Sequence, residues 1–491
     1  MRKLISVIAL IIFVWVVAAQ SRSTIYLSTA TAPTSLADEL ERLCKCDRQF
    51  GPPAPVLDPK VLPVDVSLKD NKTCIEGSCQ PCFDCYGWQL FLTLNWPAKP
   101  SGEPDPDAYF GRPGFLGNVG WETFASVYDI FGGGQPRAWA ELGSGPRTVE
   151  GTSAVIHQNL VDYRQADHNW LTDWDRNLVR FEIRVNKDEF DYIVQNQLYD
   201  QDGLYKAFTT PTGAGVDLPS GKAGGIGSIE IKAAWRIVPK DREEYFRKNY
   251  KIANVKIPPS QDDVLVALVG LHITKKTPNS PQWVWATFEH QDNVPDGPPD
   301  PSKKYNFFNP AAPSNYKPNY NDPPARRSDR RVPVQVVRAS PIDSRAIEIN
   351  KAVHALISAK YPDSVWRNYN LIDVQWPTMP VFNRDPKSTA ALPSGKPAPI
   401  VVANITMETY MQTQKSGGAA GTSPGGADRT DPGNLPATDP NYGKSSCIGC
   451  HRLSAITPTF VGKRGSWKTD YSMIFFKAKP KMITRKTTAR R

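Results

Sequence analysis

The alternation of hydrophobic and polar positions first indicates where strands form. Residues 264–276 and 283–290 are apolar runs rich in β-branched and aromatic side chains. The Thr-Pro-Asn-Ser-Pro stretch between them predicts a hairpin with a long loop. Residues 226–238 carry a third run of this kind. The pattern therefore predicts a β-rich main domain.

Other stretches favour helices. Asn186 followed by Glu189 predicts a capping box that opens a helix. Residues 345–359 place four apolar side chains on one helical face: Ile349, Val353, Leu356 and Ile357. Shorter helices are predicted over residues 121–130, before a Gly-Gly-Gly stop, and over residues 404–412. Together with the strands, these helices predict the α+β fold class.

The first residues have the features of a secretory signal. Arg2 and Lys3 precede an apolar run of 16 residues that ends in small side chains. A membrane-spanning helix needs about 20 such residues. We therefore expect a signal peptide over residues 1–19 and a periplasmic or extracellular protein with no transmembrane segment after its removal. An uncleaved anchor is the alternative.

A cysteine-rich lead follows at residues 20–85. It holds six cysteines, and an even number in an oxidising compartment predicts three disulfides, with 15 possible pairings: Cys44, Cys46, Cys74, Cys79, Cys82 and Cys85. Two alternatives remain open from the spacing. Cys74, Cys79 and Cys82 have the spacing of an iron–sulfur site. Cys82 to Tyr86 has the form of a haem motif with Tyr in place of His.

The most specific motif is Cys-x-x-Cys-His, formed by Cys447, Cys450 and His451. Two thiols at this spacing can bond to the two vinyl groups of one porphyrin, and the histidine that follows can bind the iron as proximal ligand. A bare Cys-x-x-Cys would be far less specific, since it also occurs in disulfides, zinc sites and thiol redox pairs. The motif predicts one covalently attached haem c.

Composition and the motif divide the chain. Proline is abundant, with 45 of 491 residues, and mean hydropathy is −0.43, which is typical of long connections between elements. We expect a C-terminal haem-binding segment packed on the main domain. The predicted order is a signal at 1–19, the lead at 20–85, a main α+β domain at 86–296, a Pro/Asn-rich connector at 297–331, a second part of the scaffold at 332–415, a Gly/Ala/Pro-rich loop at 416–440, the haem c segment at 441–476 and a basic tail at 477–491.

The second axial ligand of the iron is open from the sequence. Only 40 residues follow His451, too few for a separate haem pocket, so the main domain should supply apolar surface and a distal residue. The leading candidates are His272, His290 and Met473, followed by Met407, Met411, His157, His168 and His354. An open sixth position would suit binding or activation of a small molecule, whereas two strong ligands suit electron transfer.

His272, Glu289 and His290 also have the composition of a two-histidine, one-carboxylate metal site. Such a site needs one hairpin register, because a slip of one residue moves a side chain to the other face of the sheet. The alternative is that these side chains form hydrogen bonds within an aromatic-rich core.

Charge is uneven along the chain. The net charge is +10, and the residues from 441 onward hold 12 Lys or Arg against one acidic residue, Asp470. This predicts docking to an acidic redox partner protein or an anionic surface; a solvated tail is the alternative. We expect no nucleic acid partner.

Several segments resemble a group of exported bacterial proteins described as the cytochrome c family. The resemblance extends over most of residues 86–475. Besides the late haem motif, it is carried by residues 88–97 (WQLFLTLNWP), 270–273 (GLHI), 276–277 (KT), 287–290 (TFEH), 364–369 (SVWRNY) and 375–377 (QWP). It implies haem c and export but no reaction, and the lead and tail do not match that group.

These observations predict an exported mono-haem c-type cytochrome that transfers electrons. The first alternative is a haem-dependent oxidoreductase, of oxidase or peroxidase type, with an open distal site. The second alternative is a scaffold in which the haem binds or senses a small molecule. Whether the protein is an enzyme stays open at this point.

Overall fold

The computed structural model describes residues 35–44, 57–58, 60, 62–66, 79–99, 101–142, 156–157, 160–165, 169–222, 224–260, 262–320, 332–412, 446–457 and 466–480. The predicted signal, the Gly/Ala/Pro-rich loop and residues 481–491 of the basic tail lie outside these ranges. No helix in the described ranges combines the length and apolar character that crossing a membrane requires.

A nine-stranded sheet forms the centre of the described structure. Its main path is β1-β3-β4-β6-β7-β8-β9, while β5 pairs with β6 and β2 pairs with β5. These strands are β1 Ala125–Ser126, β2 Ile156–His157, β3 Arg180–Val185, β4 Ile229–Ile237, β5 Ile252–Lys256, β6 Asp263–Lys275, β7 Val284–His290, β8 Tyr369–Pro377 and β9 Pro397–Ala398. A separate pair consists of β10 Ala455–Ile456 and β11 Trp467–Lys468.

Helices surround the sheet. The α-helices are α1 Leu36–Leu43, α2 Gln80–Leu94, α3 Val127–Ile130, α4 Lys187–Gln195, α5 Gln201–Thr209, α6 Glu243–Asn249, α7 Ser344–Lys360 and α8 Cys447–His451. Short 3-10 helices are Gly120–Thr123, Trp139–Glu141, Lys240–Arg242, Val365–Asn368 and Ile474–Lys477. The mixture of helices with a mainly antiparallel sheet confirms the α+β class.

The predicted strands form β4, β6 and β7, with ends that differ by a few residues. β6 and β7 pair in antiparallel register, which confirms the hairpin. β8 pairs with β7, so residues 86–296 and 332–415 contribute strands to one sheet. The two predicted parts of the scaffold therefore share a hydrogen-bonded core.

The helix predictions had mixed outcomes. α4 begins after Asn186, whose side chain accepts from the Glu189 amide, and α7 matches the predicted helix closely. Residues 121–130 do not form one helix, because a 3-10 turn and β1 interrupt them before α3. Residues 404–412 form successive turns, so the helix predicted there is wrong.

α2 and α7 cover one face of the sheet. The Trp88 indole on α2 donates to the Asn350 amide oxygen on α7 at 2.9 Å. Gly87 allows α2 to approach the strands closely, because a Cβ there would lie 2.7 Å from the Val374 side chain. α2 also spans residues 85 and 86, where the lead was expected to end, so the lead and main domain share this helix.

Disulfides attach the lead to this helical face. Cys44 is bonded to Cys85 with an S–S distance of 1.94 Å. Cys79 and Cys82 are disulfide-bonded too, while Cys46 and Cys74 lie outside the described residues. A sulfur in a disulfide is not available as an iron–sulfur ligand or a haem thioether. The iron–sulfur and second-haem alternatives are therefore wrong.

Candidate functional site

Two rows of side chains cross the other face of the sheet. Facing residues on paired strands point to the same side, and residues two apart on a strand do so as well. The first row runs Ile183, Lys232, His272 and Thr287, and the second runs Glu230, Thr274, Trp285 and Gln375. These two rows provide most of the floor of a cavity.

The cavity lies between this floor, the turns at residues 402–411 and the C-terminal segment. Its volume is about 210 Å³. Its lining beyond the two rows includes Ile231, Ala286, Val402, Ala403, Glu408, Met411, Ser446, Cys447, Cys450, His451, Met473 and Ile474. The whole Cys-x-x-Cys-His motif thus opens into one largely apolar cavity.

The floor holds the motif helix α8 in place. The Ser446 hydroxyl accepts from the Gly449 amide at 2.8 Å and so caps the helix. The Gln375 side chain, from the second row, accepts from the Ile448 amide at 2.8 Å. Ile448 is fully buried. These contacts fix both cysteines relative to the sheet.

His451 is held in a defined orientation. Its Nδ1 lies 2.7 Å from the Tyr471 carbonyl oxygen. A carbonyl only accepts, so Nδ1 carries the proton and Nε2 keeps a free electron pair. Burial lowers the pKa of His451 to about 4, so the imidazole is neutral at neutral pH. A histidine that donates from one ring nitrogen to a backbone carbonyl is typical of a metal ligand that binds through the other.

The residue that positions Tyr471 is a buried carboxylate. Asp470 contacts Lys276 at 2.7 Å and Arg384 at 2.8 Å, and it accepts from the Leu218 amide at 2.7 Å. All of these partners belong to the scaffold rather than to the C-terminal segment. The ion pairs therefore attach the segment that orients His451 to the rest of the protein.

Cys447 and Cys450 are free thiols. Burial raises the pKa of both, with a further contribution from the negative charge of Glu408. A raised pKa keeps a thiol protonated and unreactive towards disulfides. The pair therefore lacks the low pKa that a dithiol redox centre uses.

His272 lines the cavity with a carboxylate partner that sequence reasoning missed. Its Nε2 lies 3.0 Å from Glu408 Oε1, and the other Glu408 oxygen accepts from the Asn404 amide at 2.9 Å. Burial alone would raise the pKa of Glu408, but His272, the positive charge of Lys232 and this amide together outweigh burial and lower it. Glu408 is thus a charged group at the cavity wall. No motif marks it, because 136 residues separate it from His272, its partner on the sheet.

The other candidate ligands divide into two groups. Met411 and Met473 line the cavity beside His272. His290 does not line it: the ring stacks on Tyr250 at 3.6 Å and its Nε2 contacts the Asn249 carbonyl. The remaining candidates lie elsewhere, with Met407 in an apolar core, His354 hydrogen-bonded to the Tyr369 carbonyl, His157 on β2 and His168 outside the described residues.

The register of the hairpin separates the two histidines. His272 faces Thr287, so His290 points to the opposite side of the sheet. Glu289 pairs instead with Arg338 at 2.8 Å. In the part of the chain that the structure describes, no three His, Cys, Asp or Glu side chains are grouped to hold a metal ion. The two-histidine, one-carboxylate hypothesis is therefore wrong, and the alternative of hydrogen bonds within an aromatic core holds for His290.

Comparisons with known proteins found no match to a family model, to a curated protein or to a solved structure.

Proposed function

We propose that this protein is an exported mono-haem c-type cytochrome that transfers electrons. The observation that carries the proposal is the cavity onto which Cys447, Cys450 and His451 open together, with His451 already oriented through its Nδ1. Two thiols that remain free in a protein with several disulfides are otherwise unexplained. Covalent attachment to one porphyrin accounts for both thiols and for the histidine next to them.

The donor set and the lining fit such a group. Cys447 and Cys450 would form the thioether bonds, and His451 Nε2 would bind the iron. The largely apolar walls, among them Ile231, Val402 and Ile474, would keep the ring away from water. A bound haem would supply one-electron redox chemistry, which the lining residues would tune through burial and nearby charge.

Two observations support location outside the cytoplasm. The Cys44–Cys85 bond is a disulfide, and disulfides persist mainly in oxidising compartments. The apolar N-terminal run before residue 20 is of the secretory type. We infer a periplasmic or extracellular protein whose redox partner is acidic, because the segment around the motif is basic.

The proposal predicts covalent haem in the exported protein. Protein made in a host that matures c-type cytochromes should retain its colour after acid–acetone extraction, because thioether bonds resist acid. The mass of the mature chain should exceed the sequence mass by one haem. Complete extraction of the pigment, or a chain with no added haem, would refute the proposal.

The sixth ligand can be located by substitution at the cavity wall. We expect the absorption spectrum to change for one of three variants, His272→Ala, Met411→Leu or Met473→Leu, because only these candidates line the cavity in the described residues. His290→Asn and Met407→Leu are matched controls that should keep the parent spectrum. A changed spectrum in a control, with none at the cavity wall, would contradict this assignment.

One observation favours a second function, that of a haem-dependent oxidoreductase. His272 and Glu408 form a positioned acid–base pair at the cavity wall, an arrangement suited to moving protons to and from a bound small molecule. If all three cavity variants keep the parent spectrum and the reduced protein binds carbon monoxide, the sixth position of the iron is open. The oxidoreductase function then replaces electron transfer as the proposal.

A further inference from the structure

Two carboxyl groups meet at the wall of the cavity, and no sequence motif marks them. Glu230 belongs to the second row of the floor. Glu189, on α4, is completely buried, and neither of its side-chain oxygens has a hydrogen-bond partner among the described residues. Burial and the mutual repulsion of two negative charges both favour a proton on Glu189, because no donor compensates its buried oxygens.

Local structure brings the two residues to the same helix–strand junction. The Asn186 side chain caps α4 and also accepts from the Ile229 amide at 3.0 Å, which pins the first turn of α4 to the start of β4. Glu189 lies one helical turn after Asn186, and Glu230 lies one residue after Ile229. The pair is therefore a built feature of the helix–strand junction.

The surroundings decide how strongly the pair holds a proton. Burial raises the pKa of Glu189, and Glu230 and Asp470 raise it further, while Lys276 lowers it. Burial also raises the pKa of Glu230, to about 7, although the neighbouring Ser472 and Glu189 side chains oppose this rise. Other charged or titratable side chains lie near this junction or along the adjoining cavity wall. They are Asp188, Asp217, Lys232, His272, Arg384, Glu408 and His451.

Glu230 connects the buried carboxyl to water. It lines the cavity and has partial exposure there, whereas Glu189 has none. A proton that reaches Glu189 from the cavity side therefore passes Glu230. Since the same cavity receives the motif, a change of charge in it acts on the pair through a medium of low polarity, where electrostatic effects are large.

We propose that Glu230 and Glu189 form a proton-exchange site coupled to the redox state of the cavity. The pair takes up one proton from water when one electron enters from an external one-electron donor protein, and it releases that proton when the electron leaves. One electron and one proton are then gained together, so the net charge of the cavity region is unchanged. This inference rests on the proposed function, because it requires a redox group bound to the motif.

The test is the midpoint potential of the holoprotein, measured by spectroelectrochemistry from about pH 5 to about pH 9, a range that brackets the raised carboxyl pKa. The potential should fall with rising pH by up to about 59 mV per unit, the tenfold change in proton concentration converted for one electron. Glu230→Gln and Glu189→Gln should each remove most of this slope near neutral pH. Glu244→Gln, on the exposed side of α6, is the matched control and should keep it.

A second measurement does not depend on the potential. Infrared spectra of the wild-type protein should contain the band of a buried protonated carboxyl, which Glu189→Gln should remove and Glu244→Gln should retain. A potential independent of pH in the wild type, or an unchanged slope in both pair variants, would overturn the inference while leaving haem attachment intact. Absence of covalent haem would instead overturn the proposed function.

Discussion

Replacing Cys447 and Cys450 together with alanine is expected to abolish covalent haem binding completely. Under the proposed function each thiol would supply one thioether bond, and these are the free cysteines in the described part of the chain. His451 alone would leave a coordination bond that acid breaks. The measurement is haem remaining after acid–acetone extraction, together with the mass of the chain, and we expect no added haem.

The matched control changes the same residue type elsewhere. Cys44→Ala with Cys85→Ala removes a disulfide that lies on the helical face of the sheet, away from the cavity. This variant should keep its haem while losing about 2–5 kcal/mol of folding free energy. Covalent haem in the Cys447/Cys450 variant would show that attachment uses another site.

The second large effect is expected at Asp470. Asp470→Asn keeps the shape of the side chain but removes its charge, so buried Lys276 and Arg384 lose their shared counter-ion. Breaking a buried ion pair by changing one partner costs about 3–5 kcal/mol, because a charge stays buried without compensation. Exposed Asp217 contacts both cations and offsets part of this cost. We therefore expect a loss near about 3 kcal/mol.

Urea unfolding followed by circular dichroism measures this loss. The control is Asp191→Asn, which breaks an exposed pair with Lys187 on α4 and should cost less than about 1 kcal/mol. Equal stability of the two variants would contradict the role assigned to Asp470. The Asp470 variant should also alter the haem spectrum, since Tyr471 orients His451.

Strands with strong local signals were predictable. β6 and β7 combine apolar, β-branched runs with a loop that contains two prolines, and each signal lies within a few residues. The register of these two strands was not predictable, because it depends on packing of the whole sheet. That register places His272 and His290 on opposite faces and so rules out the metal site proposed there.

Helix α2 was not predicted from the sequence, and the reason is physical. Nearly all of its residues are buried, so the sequence lacks the period of about 3.6 that marks a helix with one exposed face. Its first turn has no side-chain cap, and Pro81 is the remaining start signal.

Glu122 explains why residues 121–130 do not form one helix. Its side chain accepts a hydrogen bond from the Val119 amide and pairs with Lys251, which fixes a tight turn.

In the candidate site too, some residues could be predicted from the sequence and others could not. The motif residues are adjacent in sequence, so their chemistry could be inferred without a fold. Glu408 and Glu230 line the cavity and Gln375 holds α8, each from a separate strand or turn, and nothing local distinguishes them. The charged residues Glu230 and Lys232 do alternate with buried Ile229 and Ile231, a signal that one face of β4 differs from the other.

The docking of α8 onto Gln375 has a consequence for biogenesis. If the motif carries a haem, as proposed, the machinery that joins the porphyrin to the two thiols would have to reach both sulfurs from outside, and in the folded protein Cys447 and Cys450 line the cavity above the sheet floor. Ligation would then have to precede docking of the C-terminal segment. Because the strands that form the floor precede the motif along the chain, a haem-loaded segment would dock last and would be held in place by the Asp470 ion pairs.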